Sequence, residues 1–123
     1  MKDLKISKEL FDNVFEGCVF NYVKDDVIHY SQPCVIMEGS WVESETSIND
    51  FFFDCKEWAF SKGYIISSGL TPVLGINKDG WAEVFSSSTP LDGKLHTFKQ
   101  LSEPEAVFKA CEWILKEQNN DTK

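Results

Sequence analysis

Between Ser47 and Gly63 the chain carries an apolar stripe that only an α-helix can bury on one side. Ile48, Phe51, Phe52, Cys55, Trp58 and Ala59 recur at the spacing of a single helical face. Ser47, with Asp50 three residues on, resembles a capping box in which Asp replaces Glu or Gln. Gly63 stops the helix, and Tyr64 to Ser68 reads as a strand that follows at once. A second helix of this kind closes the chain. Ser102-Glu103-Pro104-Glu105 is a capping box with Pro in the first turn, and Val107, Ala110, Cys111 and Ile114 form its stripe. The two helices share a pattern: Ser47 with Ser102, Asp50 with Glu105, Phe53 with Phe108, Glu57-Trp58 with Glu112-Trp113. This reads as two capped helices with similar packing roles, the alternative being an internal duplication. Trp58 and Trp113 are expected to be buried anchors.

The remaining elements are shorter. Ser7 caps a first helix over residues 8 to 16, with Leu10, Phe11, Val14 and Phe15 on one face and Gly17 beyond its end. Cys18 to Val23 and Val27 to Tyr30 read as strands around an Asp25-Asp26 turn. After Pro33, Cys34 to Met37 reads as a third strand, running as far as Val42 if extended, and the polar stretch Glu38 to Thr46 as a hairpin or loop. Val73 to Ile76, a turn over Asn77 to Gly80, and Trp81 to Phe85 form a hairpin whose second arm sets Trp81, Glu83 and Phe85 opposite Ala82 and Val84. Ser86 to Gly93 is a loop and Lys94 to Phe98 a short strand. The expectation is an α+β fold. A mainly antiparallel sheet is covered by two long amphipathic helices plus a short N-terminal one. Residues 1–123 form a single domain whose residues 118–123 fray.

Composition limits the classes open to such a chain. At 42% hydrophobic and 14% aromatic, its 123 residues can bury a core without disulfide or metal. No apolar run approaches the ~20 residues of a membrane span, and the N-terminus lacks a secretory signal, so a cytoplasmic location is expected. Cys18, Cys34, Cys55 and Cys111 are irregularly spaced and are expected to be buried, reduced thiols. His29 and His96 stand apart from each other and from any Cys pair, so neither a metal nor another cofactor is expected. The net charge is −8, and every basic residue is Lys. Residues 1 to 60 hold 12 acids and 5 lysines. That balance argues against direct nucleic-acid binding and suits docking on a basic protein surface, or simple solubility.

The chain shows no G-x-S-x-G, Walker A, H-E-x-x-H or G-x-G-x-x-G motif, and no Cys at a visibly activated position. It reads as a non-enzyme. Two features point to recognition instead. Glu38, Glu43, Glu45, Asp50, Asp54 and Glu57, against Lys56, give the segment around Trp41 a local charge of −5. On a helix turning ~100° per residue, Phe53 and Phe60 lie away from the stripe centred on Ile48, Cys55 and Ala59, with Lys56 and Glu57 beside them. A helix apolar on a second side is either covered within its chain or used in a contact outside it. The candidate protein interface is therefore Phe53, Phe60, Glu57, Trp41, Glu43, Glu45 and Asp50.

The stretches Ser47 to Gly69 (SINDFFFDCKEWAFSKGYIISSG) and Glu103 to Leu115 (EPEAVFKACEWIL) resemble small bacteriophage and prophage accessory proteins. In these a "CKEWA…GY" helix precedes a sheet and an "EA…ACEW" helix closes the domain. The likeness covers about a third of the chain and rests on core and cap residues, so it carries over no functional residue. It implies a mobile-element origin and a non-enzymatic role. The reading is an accessory protein that binds and inhibits a host protein with a basic surface, such as an anti-CRISPR protein acting on a defence system. The alternatives are a homo-oligomeric structural or regulatory module, with a homodimer as its simplest form, and a small thiol-dependent enzyme.

Overall fold

Three serines start the three helices, each by the same local bond. In the computed structural model, which describes residues 6–72, 78–100 and 102–121, Ser7 Oγ accepts from the Leu10 N–H at 3.0 Å. Ser47 Oγ accepts from Asp50 at 3.0 Å, and Ser102 Oγ from Glu105 at 3.3 Å. Each occupies a donor that the first helical turn leaves without a partner. The helices are α1 (Lys8–Val14), α2 (Ile48–Ser61) and α3 (Glu103–Asp121). The fold is α+β, with six antiparallel strands in two sheets among the described residues. The chain divides into two compact units, Met1–Phe51 and Phe52–Lys123.

The first unit holds α1 and the sheet β1 (Val19–Lys24), β2 (Val27–Pro33) and β3 (Trp41–Ser47), in that spatial order. Asp25 and Asp26 make the two-residue turn between β1 and β2, both at positive φ (53° and 61°), the backbone of a type I′ hairpin. One extra residue, Asn21, interrupts the β1–β2 register, since Phe20 pairs with Tyr30 but Tyr22 with His29. The bulge keeps Phe20 on the face that α1 covers while Tyr22 turns outward. Phe11, fully buried, is the hub of that covered face. Its ring centroid lies 5.1 Å from Phe15, 5.5 Å from both Phe20 and Tyr30, and 5.8 Å from Phe51. Edge-on and tilted aromatic pairs at these separations add to the area they bury.

The expected strand at Cys34 to Met37 is instead the loop between β2 and β3. Pro33 has no N–H to continue the ladder. The Cys34 N–H donates to the Ser40 carbonyl (2.9 Å) and the Ser40 N–H to the Met37 carbonyl (3.1 Å), which closes the loop on itself. Pairing resumes with Trp41 opposite Pro33, so the stretch read as polar hairpin is mostly strand β3.

The second unit sets α3 against β4 (Tyr64–Pro72), β5 (Lys78–Ser86) and β6 (His96–Gln100), a sheet in that order. Ile66, Ala82 and Val84 are buried on one face, and Ile65, Trp81, Glu83 and Phe85 alternate with them, half-buried. The predicted alternation of the Trp81–Phe85 arm is thus present. Cys55 and Ala59 of α2, and Val107, Ala110, Cys111 and Ile114 of α3, have no exposed surface. The Cys111 thiol donates to the Cys55 carbonyl across the two helices at 3.7 Å. The Glu103 carboxylate accepts from Ser68 Oγ (2.7 Å) and lies 4.0 Å from Lys56 Nζ, joining α3 to β4 and α2.

Several expectations change. Among the described residues there are two three-stranded sheets rather than one, because the turn-rich connections that favour antiparallel pairing do not say which strands share a ladder. The helices are unequal, 14 residues in α2 and 19 in α3. The helix α3 continues through Gln118 to Asp121, and residues 122–123 of the expected tail lie outside the described residues. Trp113 is half-buried, packed edge-on against Tyr64 (6.1 Å) and tilted against His96 (5.5 Å), not a fully buried anchor. The expected strand Val73 to Ile76 lies outside the described residues.

Candidate functional site

Strand periodicity builds the first part of the site. Along β3, Trp41, Glu43 and Glu45 point to one face and Val42, Ser44 and Thr46 to the other. The register places Pro33, Ser31 and His29 of β2 opposite those three residues in turn, and Tyr22 of β1 opposite His29. This is the face of the first sheet away from Phe20 and Tyr30. The His29 ring stacks on Tyr22, with centroids 4.5 Å apart and planes 15° apart, and its Nδ1 lies 3.8 Å from a Glu45 oxygen. Asn21 Nδ2 donates to Ser31 Oγ at 3.1 Å in the middle of the face. Trp41 is 57% exposed at one end of this face, and Glu43, Glu45 and, at the other end, Tyr22 are exposed as well. The face thus offers two aromatic rings and two carboxylates to solvent. Such a surface can accept hydrogen bonds from Lys or Arg and stack a guanidinium plane.

The other expected residues lie on α2. Asp50, in its first turn, is exposed. In the second unit, Phe53 (57% exposed), Glu57 and Phe60 (64% exposed) follow at helical spacing on one stripe. The Phe53 ring touches Phe52 (4.6 Å between centroids), and Lys56 Nζ lies 5.8 Å from its centre. The structure therefore gathers Trp41, Glu43 and Glu45 on one strand face, and Phe53, Glu57 and Phe60 on one helix stripe.

Sequence reasoning missed the β2–β3 tip. Val35, Ile36 and Met37 are 100%, 92% and 64% exposed. As four apolar residues in a row, Cys34 to Met37 look like a core strand. The signal that could have found the tip was the bracketing by Pro33 and by Gly39-Ser40, both turn formers.

The thiols differ from one another. All four are free, Cys55 and Cys111 fully buried, Cys18 and Cys34 only partly so, which corrects the expectation that all are buried. Burial pushes the Cys55 thiol far above its ordinary value, the adjacent Cys111 adding to the shift, and burial also raises Cys18. Raised thiols are poor nucleophiles. Of the two imidazoles, His29 is engaged with Tyr22 and Glu45, and His96 stacks on Phe98 (4.4 Å) with its Nδ1 3.1 Å from the Thr97 carbonyl. Among the described residues no three His, Cys, Asp or Glu side chains are grouped to hold a metal ion, and no helix is long and apolar enough to cross a membrane. No protein-family model, curated protein or solved structure matches this chain.

Proposed function

We propose that this protein is a non-enzymatic binding module that docks on a basic surface of another protein through the outer face of its first sheet. The observation that carries the reading is the alignment of Trp41, Glu43 and Glu45 on one exposed face of β3, with Tyr22 on the same sheet face at the Glu45 end. An exposed Trp is a common interface anchor, and carboxylates around it speed encounter with a cationic partner. The resemblance of Ser47 to Gly69 and Glu103 to Leu115 to phage accessory proteins supports the more specific form. In it the chain inhibits a host protein in the host cytoplasm, in the manner of an anti-CRISPR protein. The exposed Phe53 and Phe60 stripe favours a second reading, a homodimer, in which these rings meet across a twofold axis.

A photo-reactive benzophenone side chain at position 41, introduced in the cells that carry the gene, should form an adduct with one other protein. With that protein purified, Glu43→Lys with Glu45→Lys should slow association and flatten its salt dependence. An adduct only with a second copy of the chain, or an unchanged association rate, would overturn the reading. For the homodimer, Phe53→Ser with Phe60→Ser should abolish any concentration-dependent mass in sedimentation while leaving melting unchanged.

A further inference from the structure

The β2–β3 tip presents its most apolar residues outward. Val35 and Ile36 are almost wholly in water and Met37 mostly so. The loop that holds them is internally bonded. The Cys34 N–H and Ser40 N–H bonds close it at both ends, and the Met37 N–H lies 3.4 Å from Cys34 Sγ as a donor. The side chains are thus displayed by a fixed backbone, which lowers the entropy lost when a partner immobilises them. Trp41, at the base of the loop opposite Pro33, is also exposed, so exposed apolar residues run from the tip onto the Trp41 face of β3. Scattered exposed apolar residues are ordinary, but a contiguous group of this kind marks an interaction site.

Charge selects the occupant. From Asp25 to Phe51 the sequence carries six carboxylates and no lysine, and Glu38 belongs to the tip itself. An anionic lipid surface is repelled by such a rim. A second copy of the chain, with the same rim and a net charge of −8, is repelled as well. We infer that Val35, Ile36 and Met37 form an apolar anchor that enters a hydrophobic pocket on a partner protein, a pocket rimmed by Lys or Arg that meet Glu38, Glu43 and Glu45. This rests on the docking reading above and adds the element that holds the complex once formed.

The two ideas separate kinetically, since rim charges act mainly on association and a buried anchor on dissociation. A benzophenone side chain at position 36 should form an adduct with the same protein as position 41, mapped by mass spectrometry to an apolar segment flanked by Lys or Arg. Against that purified protein, Val35→Ser with Ile36→Ser and Met37→Ser should raise the dissociation rate by about tenfold or more and leave association within about twofold. Ile36→Ser alone, which perturbs the loop least, should show the same direction, and both variants should melt like wild type. An adduct at position 41 but none at 36, or an unchanged dissociation rate, would sink the anchor and leave the docking face standing. Wild-type binding to neutral phosphatidylcholine vesicles that is lost in the triple variant would show a lipid anchor instead. Adducts at 36 with a second copy would show a self-contact, and no adduct at either position would overturn both ideas.

Discussion

The backbone of Gly80 lies directly against the carbonyl group of Ser102. A Cβ built on Gly80 would overlap Ser102 C and O and the Glu103 nitrogen, all main-chain atoms that no rotamer change can move aside. The start of β5 therefore abuts the cap of α3, and only glycine allows that approach. Gly80 does not lie at positive φ, so the constraint is steric. Gly80→Ala should destabilise the protein by about 2–3 kcal/mol, the cost of forced overpacking, measured by denaturant unfolding. A variant as stable as wild type would show that α3 and β5 can part without loss.

Trp58 is almost fully buried in the second unit, yet its indole N–H has no hydrogen-bond partner among the described residues. An unmet buried donor is costly, while the rings themselves contribute a large apolar area. Trp58→Phe keeps most of that area and removes the orphan donor, so it should melt at or within about 1 kcal/mol of wild type. Trp58→Ala, which leaves a cavity, should cost about 3–5 kcal/mol. Trp113→Ala should cost less than Trp58→Ala, because Trp113 keeps part of its surface in water. Equal losses at the two positions would contradict that difference in burial.

Cys55 makes stability depend on pH on the alkaline side. Burial raises its thiol far above the ordinary 9.0, so the folded chain holds the proton where the unfolded chain releases it. Above pH 9 the unfolded state then binds fewer protons, and stability falls as pH rises, by up to about 1.4 kcal/mol per pH unit. Below pH 9 this contribution is fully present. Unfolding free energies of wild type and Cys55→Ala at pH 7.5, 9 and 10 should differ in slope only between the last two. In native protein at pH 8, Cys34 should react with a thiol reagent, Cys18 more slowly, and Cys55 and Cys111 only on unfolding. Parallel slopes, or four fast-reacting thiols, would show that Cys55 is reached by water.

The Asp25-Asp26 turn holds two non-glycine residues at positive φ. Asp tolerates this region better than most residues, but glycine at the second position suits a type I′ turn best. Asp26→Gly should stabilise the protein by about 0.5–1 kcal/mol, whereas Asp26→Ala should destabilise it by a similar amount. The main-chain bond from the Ile48 N–H to the Asp26 carbonyl, 2.9 Å long, survives either change. Thermal melts of the two variants should bracket wild type.

The parts of the fold that were legible in the sequence are those made by neighbours along the chain. Ser7, Ser47 and Ser102 were readable as caps because each bonds a backbone donor three residues away. The stripe from Ile48 to Ala59 and the alternation of Ala82 and Val84 were readable because helix and strand periods are local. For the candidate site, the same alternation put Trp41, Glu43 and Glu45 on one face once β3 was known to be a strand, and helical spacing put Phe53, Glu57 and Phe60 on one stripe.

Whatever depended on contacts distant in sequence was decided by the tertiary structure alone. A run such as Cys34-Val35-Ile36-Met37 is the same four residues whether another element covers it or water does, and here water does. Trp113 follows the spacing of its helix, but its burial is set by Tyr64 and His96, which come from two different strands. The division into two sheets is a matter of which strands exchange hydrogen bonds. The sequence determined the three capped helices and the strands flanking the Asp25-Asp26 turn, because caps, turns and apolar periods act over a few residues, but not strand β3, whose pairing with β2 is set by residues brought together in space. Only the tertiary structure decided which apolar side chains those segments hide and which they leave for a partner, because burial is a property of the neighbours that folding brings near.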